Sequence, residues 1–236
     1  MTPARALRAL RAPEAPVAPG ARRGLPLVVS LTGREVALEA AGRELITVVP
    51  PFVLAAVLLS GLGFGPRPDV LRTVAPALSW LVVLFAAVPL ARGVAAAERE
   101  EGCWNLMRAL GSPSALFAGK VAALTLWLAA TWGGAAVLVA ALLDAPMTAA
   151  GALAGALGAV GLAVLVVMFG VTLAGAQRRN GLLSVLLCPA ALPVLLAGAQ
   201  AATPGVDARP WLGLLAAFDV IGLAVAWAMF PVLMEE

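Results

Sequence analysis

The chain has no histidine and no tyrosine, only two cysteines, and charge on just 12% of its 236 residues. Each shortage excludes something. Without histidine, no Ser-His-Asp set can form. Cys103 and Cys188 stand far apart and, with no histidine beside them, supply no metal-ligand cluster. One falls in a polar stretch and the other inside an apolar run, so they are expected at different depths, which argues against a disulfide. The first 24 residues hold Arg5, Arg8, Arg11, Arg22 and Arg23 among alanines and prolines, with no apolar core. That is not a cleaved secretory signal, and Arg22-Arg23 is a poor twin-arginine match for the same reason. An Arg-rich, acid-poor start also mimics an organellar transit peptide, but composition favours a disordered basic tail over residues 1–29.

What the chain has in excess is apolar surface: 62% of its residues are hydrophobic, more than a soluble domain of this size needs. The apolar runs are long and do not alternate, as barrel strands would, so the expected class is an all-α membrane protein. A helix needs ~20 mostly apolar residues to cross the hydrocarbon layer. Six runs qualify, near residues 45–64, 74–91, 115–143, 148–175, 181–202 and 211–234, within a membrane domain of residues 30–236. The third and fourth exceed the minimum and are expected to tilt or project.

Lys and Arg are divided unevenly between alternate connections. Thirteen fall on the side of the two termini, and Arg67, Arg72 and Arg209 on the other. All nine Glu share the side of the thirteen. The bias predicts that both termini are cytoplasmic. Before the first run, residues 30–44 read as an interfacial elbow helix. Thr32-Gly33-Arg34-Glu35 fits a capping box, Leu31, Leu38 and Leu45 recur every seven residues, and Glu39 to Arg43 is a favourable i, i+4 pair. A helical linker without a specific role fits the same residues.

Between the second and third runs lies a dense polar break, Glu98-Arg99-Glu100-Glu101-Gly102, followed by Cys103-Trp104-Asn105-Leu106-Met107-Arg108-Ala109-Leu110-Gly111-Ser112-Pro113. Charge that dense between two spans must lie in water. Cys103, Leu106, Met107 and Leu110 fall at i, i+3, i+4 and i+7, one apolar stripe on a short helix. Gly102 and Gly111 can end helices, while Ser112 can cap and Pro113 open the next one. A short amphipathic helix in such a loop suits docking onto a soluble motor; a solvated helical turn is the plainer alternative.

This loop, with Gly119-Lys120 beyond it, resembles that of the type-2 exporter permeases of ABC transporters. Val74-Ala75-Pro76-Ala77-Leu78-Ser79-Trp80, and Gly181 to Pro189 with Pro193, narrow the resemblance to the cytochrome c maturation protein B (CcmB) family, heme exporter permease subunits. The similarity covers about residues 30–227. Two positions depart from the pattern: Cys103 stands where Thr or Ser is usual, and Asn105 where Glu is, which removes a charge from the docking helix. The resemblance implies six spans with a cytoplasmic coupling helix, two copies of the chain, two cytoplasmic ATP-binding subunits and a heme-handling membrane partner. It places the chain in the bacterial inner membrane. Heme is then cargo of the complex, and with no histidine this chain does not hold it through imidazole.

The chain is not expected to be an enzyme itself. Gly119-Lys120-Val121 is no P-loop, since Ser114 and Val121 occupy positions that need Gly and Ser or Thr. ATP therefore belongs to a partner chain. No cofactor, metal or nucleic-acid site is expected. Three further features are candidates within the spans. Pro189 and Pro193, four apart, bend the fifth span either to line a cavity or simply to pack. Asp219, about eight residues into the sixth, is costly in lipid and is expected to face protein or water. Gly151, Gly155, Gly158 and Gly161 give the fourth span a face that can meet another helix or subunit. A type-2 permease for a drug, lipid or polysaccharide, or a purely structural subunit of a heme-attachment complex, also fits these features.

Overall fold

The computed structural model describes residues 25–41, 44–65, 67–97, 113–174 and 180–233. Among them every regular element is an α-helix: α1 (Leu25–Ala41), α2 (Glu44–Phe64), α3 (Pro68–Ala97), α4 (Pro113–Leu143), α5 (Ala149–Ala174), α6 (Asn180–Ala202) and α7 (Ala208–Leu233). In hydrocarbon a spanning segment must satisfy its backbone polar groups internally, which a helix does. Five helices carry stretches long and apolar enough to cross a membrane: Pro68–Val88, Pro113–Leu143, Ala149–Thr172, Val185–Ala202 and Ala208–Phe230. Helix α2 adds a shorter apolar stretch, Pro50–Phe64. The chain is a multi-pass membrane protein. The 31 residues of α4 measure about 46 Å at 1.5 Å each, well beyond a ~30 Å hydrocarbon layer.

The helix ends at one side of the bundle are explicit in the sequence. Pro68 opens α3, where its missing N–H costs no hydrogen bond. Asp144 ends α4 in the left-handed region, with φ 51°, and Gly65 and Gly205 take φ 66° and 82° at the neighbouring turns. The Thr148 hydroxyl accepts from the Gly151 N–H at 2.9 Å to cap α5, and the Asp207 carboxylate accepts from the Arg209 N–H at 3.1 Å to cap α7.

Helix α5 is the centre of the bundle, packed by α3, α4, α6 and α7, and α7 is the most peripheral of the long helices. Between helices that are apolar all round, the hydrophobic effect gives no preference for one face in lipid, so close packing decides. Glycine provides it on α5. Ala202 of α6 lies against Gly151, the Trp132 indole of α4 fills the space beside Gly155, and Trp80 of α3 fills the space beside Gly158. Asp219 of α7 lies against Gly161. The fourth span's glycine face is thus consumed within the chain, by four different helices. Trp80 and Trp132 lie 6.3 Å apart between ring centroids, and Gly198 of α6 also lies against the Trp80 indole. A smaller core of Val53, Val57, Ala75, Leu78, Val82, Ala135, Val139 and Leu143 joins α2 to α3 and α4.

One detail corrects the sequence reading. The expected capping box at Thr32 and Glu35 is not a helix start: α1 begins at Leu25, with Pro26 in its first turn. Thr32 instead bonds back to the Val28 carbonyl at 2.9 Å, as a hydroxyl inside a helix does. Helix α2 carries Pro50 and Pro51 within its length.

Candidate functional site

The candidate site is the region where α4 begins. Glu98, Arg99, Glu100, Glu101, Gly102, Cys103, Trp104, Asn105, Leu106, Met107, Leu110 and Gly111 lie outside the described residues. Pro113 is the first residue of α4, where proline is favoured. The fifteen residues from 98 to 112 therefore connect two long helices, α3 and α4, that pack on each other.

Within two turns of Pro113, helix α1 is docked on α4. Gly119 permits the closest approach: a Cβ there would stand 2.9 Å from the Cβ of Leu31. The Thr32 hydroxyl reaches the Gly119 carbonyl at 3.4 Å, a long hydrogen bond. Next to it, Lys120 Nζ stands 3.5 Å from Glu35 Oε2, with the lysine side chain only 5% exposed and the glutamate 17%. This is a buried ion pair between α1 and α4. Sequence reading assigned Glu35 to a cap and Lys120 to the loop's family pattern, and did not join them. The available signal was a single charge, Lys120, inside an otherwise apolar helix, which calls for a partner.

Asp219 is buried with a carboxyl oxygen against Gly161, and neither carboxyl oxygen has a hydrogen-bond partner among the described residues. It faces protein. Pro189 and Pro193 lie on the exposed surface of α6, which continues through both. Cys188 is also exposed there, and Cys103 is outside the described residues.

Two recesses among the described residues stand out, and neither is lined by Asp219, Pro189 or Pro193. One is a small recess of about 50 Å³ at the end of the bundle that carries Arg72, Met147 and Pro204, with Trp80 and Trp132 at its walls. At its mouth Arg72 donates to the Asp144 carbonyl at 3.0 Å and pairs with the Asp144 carboxylate. The other, about 760 Å³, is an open apolar groove between α4, α5 and α7, lined by Phe117, Val121, Leu126, Val160, Leu223 and Trp227. No group of three His, Cys, Asp or Glu able to hold a metal occurs among the described residues.

Residues 27–233 match the family described as CcmB protein. The chain is 35% identical over 173 residues to Heme exporter protein B of Bradyrhizobium diazoefficiens, covering 70% of this chain and 75% of that relative.

Proposed function

This chain belongs to the CcmB family, and from that premise we propose that it is the permease subunit of an ABC transporter for cytochrome c maturation, with heme as cargo of the complex. The family match over residues 27–233 carries this reading. In it, α2 is the first of six spans and α1 the elbow helix. Cys103 to Leu110 form the coupling helix, on which a cytoplasmic ATP-binding subunit docks. The Lys and Arg bias supports cytoplasmic termini in the bacterial inner membrane. A second copy of the chain and a heme-handling membrane partner complete the assembly.

ATP would act by differential affinity of the motor for two conformations of the complex. Closure of the motor pushes the coupling helix, and α3 and α4, which flank it, carry the displacement into the membrane. The displacement either moves heme outward or releases a heme-loaded chaperone from a neighbouring subunit. With no histidine in the chain, imidazole ligation of the iron falls to a partner. The test is complementation. Cells lacking this chain should fail to attach heme covalently to c-type cytochromes, and the chain restored on a plasmid should recover it. Normal heme attachment without the chain would overturn the reading.

A further inference from the structure

The contact between α1 and α4 is built in a way that fixes register. A glycine niche at Gly119 admits the Cβ of Leu31, the Thr32 hydroxyl reaches the carbonyl of that same glycine, and Glu35 meets Lys120 one residue on. All three fall on consecutive turns of α1 and on two adjacent residues of α4. An apolar pair in place of Glu35 and Lys120 would hold the helices at least as tightly, because desolvating two charges offsets most of their attraction. What an ion pair adds is a unique alignment. Helix α1 packs chiefly on α4 and touches α2, the helix it leads into, much less. Its position is therefore set by α4, two turns from Pro113.

We propose that the buried Glu35–Lys120 pair is a positioning contact that makes α1 and the start of α4 one body, so that α1 is carried along whenever the loop before Pro113 is pushed. The inference rests on the motor-driven reading given above. It assigns α1 an active part: a helix that shifts with α4 as a lever instead of staying fixed at the membrane surface.

The experiment uses the full chain in native membranes, as wild type, as Glu35→Lys, as Lys120→Glu, and as the Glu35→Lys/Lys120→Glu double variant. Four quantities are read: the amount of chain in the membrane, the ATP-binding subunit purified with it, ATP hydrolysis by the purified complex, and heme attached to c-type cytochromes in cells. Each single variant should keep its partner and its hydrolysis while attached heme falls roughly tenfold, within the ordinary range of coupling between sites. The double variant should recover most of the loss, which a contact serving only to fill space would not do. Should the charge reversals deplete the chain, Glu35→Gln and Lys120→Met take their place, with the same loss of attached heme at unchanged hydrolysis expected. Single or conservative variants that attach heme as wild type does would overturn the proposal, as would a stable double variant with no recovery. If wild type itself brings down no ATP-binding subunit, the motor-driven reading fails and the proposal with it, a result visible before any variant is made.

Discussion

The indole of Trp80 occupies the space that a side chain at residue 158 would need: α3 and α5 touch through a tryptophan on one helix and the bare backbone of Gly158 on the other. Trp80 is 1% exposed and Gly198 of α6 also lies against its indole, which leaves the ring little room to move aside. Gly158→Ala is therefore expected to destabilise the bundle by about 1–3 kcal/mol, the ordinary cost of overpacking a tight core. A lowered melting temperature of the detergent-purified protein checks this. An unchanged melting temperature would contradict the packing described for Trp80.

Asp219 and Gly161 make a second interlocked pair. A Cβ at 161 would stand 2.7 Å from the Asp219 carboxyl oxygen, so Gly161→Ala should lower the amount of folded protein. Shortening Asp219 to Ala should relieve that clash, and the double variant should be more stable than the two single changes predict by about 0.5–3 kcal/mol, as contacting residues are. Asp219→Asn keeps the shape and loses no hydrogen bond seen among the described residues, so its effect on cytochrome c output should be mild. Loss of output at normal protein level would make Asp219 a functional group.

The helical class was legible in the sequence because a long apolar run leaves little choice in lipid; the polar break at Glu98–Gly102 lies outside the described residues. Partner choice was not legible. Gly155, Gly158 and Gly161 announced close contacts, but nothing in their spacing shows that the intruders are Trp132, Trp80 and Asp219 from three other helices. Thr32 and Glu35 matched a local motif, yet a tertiary contact with Gly119 and Lys120, some 85 residues away, decides their roles. Local patterns report local needs. They are silent when a side chain's partner comes from a distant segment.

The Arg72–Asp144 clasp at the far end of the bundle should matter less than its geometry suggests. Both side chains are substantially exposed, and such pairs contribute about 0–1 kcal/mol. The backbone at Asp144 is the stronger constraint. Its φ of 51° suits glycine, so Asp144→Gly should be close to neutral, whereas Asp144→Val should cost about 1–2 kcal/mol. Thermal unfolding of the two variants side by side separates these contributions; equal losses would contradict them.

In the proposed coupling helix, Leu106→Asp or Leu110→Asp places a charge on the apolar stripe that the sequence spacing gives Cys103, Leu106, Met107 and Leu110. Membrane insertion should be unaffected, since the loop lies between spans, while cytochrome c maturation should fall by roughly tenfold or more if the stripe seats in the motor subunit. Immunoblots of membranes and heme staining of c-type cytochromes measure the two separately. Full cytochrome c output in either variant would remove the docking role from this helix.

The most direct measurement is mass spectrometry of what purifies with this chain from native membranes. The account expects an ATP-binding subunit together with a heme-handling membrane protein. An ATP-binding subunit without heme partners would contradict the cargo, and recovery of the chain with no ATP-binding subunit would contradict the permease reading itself.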